Sequence, residues 1–166
     1  MGKVALKLGA DISTDIIYPG RFMATVLPTE TPQFAFVDDV EFNKKLKAKQ
    51  IEPGSFIVAD KNFGCGSSRE QAAACLKAAG VQAVVAKSFA RIYFRNAINL
   101  GLPVLQSEEA SDALETGDRV DIDLARGEIR SAKGTFRFLP LPASVLGIIE
   151  AGGLIEYTKR KIAEEE

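Results

Sequence analysis

The chain has 166 residues, 46% of them hydrophobic, and a formal net charge of −1. That is enough apolar content for a packed core, and the spread of charge excludes a nucleic-acid footprint or a surface for anionic membranes. There is no histidine and there are only two cysteines, Cys65 and Cys75, so imidazole catalysis is excluded, as is a four-iron cluster held by this chain alone.

Val4 to Leu8 alternates with Lys3 and Lys7 and predicts a first strand. Residues 11–32 are rich in turn formers and read as a long functional loop. Glu41 to Gln50 predicts a short polar helix closed by Pro53-Gly54, and Phe56 to Ala59 a short buried strand. After residues 60–70 the alanine-rich run through Leu76 predicts a helix stopped at Gly80, started by a capping box of Ser67 with Glu70 or Ser68 with Gln71. Cys75 falls within that helix and is expected in the core. Both cysteines are expected as free thiols in a reducing compartment.

Ala83 to Ala86 predicts the next strand, and Phe89 to Asn99 a helix with Ile92, Phe94 or Arg95, and Ile98 at helical spacing. Pro103-Val104-Leu105 begins another strand. Beyond a short acidic stretch, Arg119 to Leu124 and the strand after Arg126-Gly127-Glu128 form a hairpin, and Thr135 to Leu139 alternates as well. Pro142 opens a helix through Ala151, with another over Leu154 to Ile162. The pattern predicts one α/β domain over residues 1–166. No apolar run nears the roughly 20 residues that span a bilayer, and the start MGKVALKLGAD has no signal-like stretch. A cytoplasmic protein without membrane contact is expected.

A strand, Gly64-x-Gly66 and a helix start at Ser67-Ser68-Arg69 together describe an anion site. Glycines let backbone amides point inward, a helix N-terminus adds partial positive charge, and Arg69 can clamp a carboxylate. No Gly-Lys-Ser/Thr occurs, and Arg69 stands where a dinucleotide fingerprint needs its third glycine. The same residues also fit a capped helix after a tight turn, with no ligand at all.

Asn62-Phe63-Gly64-Cys65-Gly66-Ser67-Ser68-Arg69-Glu70 closely resembles the signature of the aconitase superfamily: Asn, aromatic, Gly, any residue, Gly-Ser-Ser-Arg-Glu. Three further segments resemble the small subunits of 3-isopropylmalate dehydratase and homoaconitase: residues 11–17 (DISTDII), 88–97 (SFARIYFRNA) and 151–154 (AGGL). The resemblance implies a single compact three-layer domain, the swivelling β/β/α domain of that superfamily. It implies a hydro-lyase of leucine biosynthesis that interconverts 2- and 3-isopropylmalate with a large subunit. This chain would bind no cofactor, and a 4Fe-4S cluster would sit in that partner. Ser67 would be the base, Ser68 and Arg69 would contact the substrate carboxylate, and Asp15 would be a polar site residue. The alternative for Asp15 is a turn-forming role.

Cys65 lies at the variable place of the signature, so it is not expected to ligate a cluster. Arg91 and Arg95, four apart, suit a structural or interfacial role, or substrate binding. In the related small subunits a tetrapeptide after Pro-Gly meets the variable group of the hydroxy-acid substrate, a di- or tricarboxylate. The resemblance makes Phe22-Met23-Ala24-Thr25 the matching tetrapeptide, with Ala24 where homoaconitase-like forms often carry Arg; the alternative is a register one residue earlier, which includes Arg21. Alanine cannot pair an extra carboxylate, which favours isopropylmalate. Dimethylmalate, methylmalate and homoaconitate hydro-lyases are the alternatives, as is a carboxylate-binding module without chemistry.

Overall fold

Four parallel strands stand side by side in chain order: β1 (Gly2–Lys7), β2 (Ser55–Val58), β3 (Val81–Ala86) and β4 (Val104–Gln106). The structure is a computed structural model and describes residues 2–22, 24, 30–48, 50–52 and 54–165. The runs FIVA and AVVA show no alternation because both faces of these strands are covered. Phe56, Val58, Ala83 and Val85 point to one side, and Ile57, Ala59, Val84 and Ala86 to the other.

One side is covered by helices α2 (Val40–Lys47), α3 (Gln71–Ala78), α4 (Arg91–Asn99) and α6 (Ala143–Ala151). On the other lie α5 (Glu108–Ala113) and the antiparallel strands β5 (Arg119–Asp123), β6 (Glu128–Ser131) and β7 (Gly134–Arg137). The sheet is continuous in the order β4-β3-β2-β1-β5-β6-β7, and its antiparallel half curls under the parallel half. Helix, sheet and curled sheet make the three expected layers of a single α/β domain.

Four local expectations change. First, α3 opens at Gln71, with Glu70 at its N-cap and no side-chain cap bond, so neither capping box forms. Gly66 adopts a φ of +96°, which holds Ser67 and Ser68 in loop conformation. Second, the buried face of α4 is Tyr93, Ala97 and Ile98, and Ile92 is 52% exposed. The Tyr93 hydroxyl donates to Ala72 O at 3.1 Å and turns the helix that way. Third, the acidic stretch is itself a helix, α5, whose Ser107 Oγ accepts from Ala110 N while Glu108 and Glu109 favour its N-terminus. Fourth, the long loop contains α1 (Thr14–Ile17), capped by Ser13 Oγ, and 3-10 turns at Gly20–Phe22 and Thr31–Phe34. The last helix, α7 (Leu154–Glu165), follows α6 closely. No helix among the described residues is long and apolar enough to cross a membrane.

Candidate functional site

The site lies beyond the C-terminal ends of β1, β2 and β3, where ligands commonly sit in open α/β sheets. The chain leaves each strand still in parallel pairing. Ser13 bridges Cys65, and Phe63 bridges Phe89. Thr14 N donates to Cys65 O at 2.8 Å, Gly64 N to Ile12 O at 2.7 Å, and Ala90 N to Phe63 O at 2.9 Å. The signature loop is thus stitched between the Asp-Ile-Ser-Thr segment and the start of α4.

Gly64 is required by space as well as by its φ of +84°. A Cβ there would lie 2.2 Å from Cγ of the buried Tyr93 ring. Its amide is committed to Ile12, so its part in the loop is steric. Among the described residues, the amides of Gly66, Ser67, Ser68 and Arg69 donate to no protein acceptor. Those uncommitted N–H groups suit a loop that seats negative charge even though the helix begins later than expected.

A cleft of about 270 Å³ opens here, lined by the loop from Gly66 to Arg69, by Thr14 and by the first turn of α4. Ser67 is exposed on it. The buried Thr14 hydroxyl donates to Ser67 O at 2.8 Å and lies 3.5 Å from Ser67 Oγ. Ser68 is exposed beside it. The Arg69 side chain, 19% exposed, gives its Nη1 to Asp15 Oδ1 at 2.7 Å and to Tyr18 O at 3.3 Å.

Asp15 Oδ1 also accepts from Gly20 N at 2.9 Å. The Arg69 hydrogen bond, and after it the Gly20 amide, hold the Asp15 carboxyl below its ordinary pKa of 3.8. Asp15 therefore pairs with Arg69 and closes the turn at Gly20 with the same carboxylate oxygen.

Other expected residues lie further out. Phe22 stacks on Phe34 with ring centroids 4.1 Å apart. Ala24 is exposed and is absent from the described residues that line the cleft. Met23 and Thr25 lie outside the described residues. Arg91 and Arg95 separate: Arg91 lines the cleft and Arg95 does not. Ile92 and Asn96 also line it. Their spacing in the sequence carried no signal for this, because it depends on where the Phe63–Phe89 bridge anchors α4.

Among the described residues no group of three or more His, Cys, Asp or Glu is placed to hold a metal ion. Cys65 is half-buried in the loop, and Cys75 is fully buried in α3, where desolvation pushes its thiol pKa up. A thiol so placed cannot ligate a metal without unpacking the core. The side chains present do not fit an iron–sulfur cluster.

The aconitase C-terminal domain model matches residues 10–110, which hold every loop of the cleft. The chain belongs to the aconitase family. Within it, the chain is 48% identical over 161 residues to the 3-isopropylmalate dehydratase small subunit of Heliobacterium modesticaldum, covering 95% of this chain and 94% of that one. It is 43% identical over 163 residues to the isopropylmalate/citramalate isomerase small subunit of Methanocaldococcus jannaschii, covering 96% and 94%. The crystal structure of 3-isopropylmalate dehydratase from Methanocaldococcus jannaschii superposes with a TM-score of 0.87 at 40% identity, over 99% of this chain and 96% of that one. These similarities place it among the dehydratase small subunits of the aconitase family, whose enzymes are hydro-lyases.

Proposed function

We propose that this chain is the small subunit of a 3-isopropylmalate dehydratase. In this reading it is a cytoplasmic hydro-lyase subunit of leucine biosynthesis that interconverts 2- and 3-isopropylmalate in complex with a large subunit. The observation that carries the reading is Ser67, exposed on a cleft between unspent loop amides and an Asp15-held Arg69.

The chemistry follows from those groups. Ser67 takes the proton from the carbon next to the hydroxyl-bearing one, and that C–H electron pair becomes the alkene as hydroxide departs. Water then adds back the other way round, its hydroxyl to the carbon that lost the proton and a proton to the carbon that lost the hydroxide. A serine is a weak base, so its alkoxide needs stabilisation. The amides of residues 66–69 supply positive potential of the right sign. Ser68 and Arg69 hold a substrate carboxylate, with Arg69 pre-aimed by Asp15. The remaining need, an electrophile for the departing hydroxide, is met by no residue described here, and we assign it to a 4Fe-4S cluster of the large subunit.

The choice of isopropylmalate over homoaconitate draws on the family's specificity tetrapeptide, in which Ala24 offers no cation, and not on the cleft of this chain, which Ala24 does not line. A second reading, a citramalate-type hydro-lyase, is favoured by the 43% identical relative named for both isopropylmalate and citramalate. Anaerobic mixing with the cognate iron-loaded large subunit separates these. The purified chain should be colourless and inactive, and the mixture should turn over isopropylmalate with a higher kcat/KM than methylmalate or homoaconitate. Turnover by the chain alone, or stoichiometric iron and sulfide in it, would contradict the reading. A preference for homoaconitate would contradict the part given to Ala24.

A further inference from the structure

Two nearby arginines are already engaged by acids. Arg69 is held by Asp15 at 2.7 Å, and Arg21 by Asp38 at 2.5 Å. Arg91 differs: among the described residues its side chain makes no hydrogen bond or ion pair, yet it lines the same cleft as Ser67, Ser68 and Arg69. Its backbone is well anchored. Ala90, the residue before it, donates to Phe63 O at 2.9 Å, and Phe63 and Phe89 form a parallel bridge with their rings edge to face. The first turn of α4 is therefore fixed to the serine loop.

Charge bookkeeping then discriminates between the arginines. A hydroxy-diacid brings two carboxylates to the site. Asp15 offsets the charge of Arg69, so a cleft with that pair alone is close to neutral and poorly suited to a dianion. Arg91 supplies the uncompensated positive charge, and its planar fork suits a carboxylate. We propose that Arg91 is a substrate-binding residue, the second carboxylate anchor of the cleft beside Arg69. This rests on the hydro-lyase reading above.

The test uses Arg91→Gln, Arg91→Lys and Arg95→Gln chains, each assembled with a saturating amount of the cognate large subunit and assayed on isopropylmalate. Loss of a charge-assisted contact should raise KM in Arg91→Gln roughly ten- to hundredfold while kcat changes little. Arg91→Lys should recover part of the loss, and Arg95→Gln should match the wild type. An unchanged KM in Arg91→Gln overturns the inference, and so does an equal rise in Arg95→Gln. A loss that more large subunit fully reverses also overturns it, since Arg91 would then be a subunit contact. If the wild-type complex turns over no hydroxy-diacid, the hydro-lyase reading itself fails. If it turns them over with no sensitivity to Arg91, only this inference does.

Discussion

The parallel and antiparallel halves of the sheet treat charge in opposite ways. In the antiparallel half, charged side chains answer one another within and between the strands and turns. Arg130 reaches Asp121, Asp123 and Glu128, and Lys133 reaches Asp118 at 2.7 Å. In the parallel half, the loops beyond the strand ends gather Arg69, Arg91 and unspent amides around one cleft, with Asp15 facing Arg69. A self-satisfied surface has little left to offer a ligand, whereas the parallel half keeps donors in reserve. The antiparallel half serves as a floor: Val120, Ile129 and Phe138 cover the strands that carry the site.

The two halves should differ most at their glycines. Gly64→Ala should push Tyr93 and α4 away and cost about 3 kcal/mol or more, from overpacking added to left-handed strain. Gly127, in the antiparallel hairpin, has a φ of +69° but only Phe138 O near a new Cβ, at 3.9 Å. Gly127→Ala should therefore cost about 1 kcal/mol. Urea unfolding midpoints measure both, and equal losses would mean that the loop is no more tightly built than the hairpin.

Arg69→Lys comes next, with little change in stability. Ammonium cannot hold both Asp15 and a substrate carboxylate in a planar fork, so KM in the assembled enzyme should rise by about tenfold or more. Steady-state kinetics on isopropylmalate measures it.

A smaller effect is expected in acid. Asp15 has its folded-state pKa depressed, so its contribution is present above the ordinary value of 3.8 and is lost as pH falls through the depressed one. Asp118, held by Lys133, and Asp123, held first by the Arg126 amide, behave alike in the other half. Asp15→Asn should shrink the stability difference between neutral pH and pH 3, leaving the share of the antiparallel half in place. Denaturant titrations at the two pH values would show it.

Smallest of all should be Arg130→Ala. Its partners are solvated, so the loss should stay within about 1 kcal/mol and activity should be unchanged. An activity loss there would make the antiparallel half more than a floor.

Much of this was legible in the residues. The both-face-buried runs at 56–59 and 83–86, the alternation at 119–124 and the glycine stops gave the strand and helix order, because period and turn chemistry are local. The signature loop located Ser67 and Arg69. What local pattern could not show was pairing at a distance. Asp15 and Arg69 are 54 residues apart, and Thr14 and Ser67 are 53 apart. Nor could it show that Gly66, ahead of the serines, delays α3 to Gln71. On α4, Ile98 and Phe94 do meet the core, but Ile92 does not, because Tyr93 is drawn in by Ala72 O, a contact no helical wheel contains. Helix α5 did have a local signal, Ser107 followed by two glutamates, which the acidic composition masked.

In the proposed mechanism Ser67 takes the proton from carbon. The direct measurement is exchange of the substrate's carbon-bound hydrogen with deuterated water, in complexes assembled with wild-type and Ser67→Ala chains. Because Ser67 is exposed and caps no helix, the substitution should leave stability within about 0.5 kcal/mol. Assembly with the large subunit should also be unchanged. Exchange should fall by roughly 10² to 10⁴ in the folded, assembled Ser67→Ala complex. Exchange near the wild-type rate in that complex would contradict that role of Ser67.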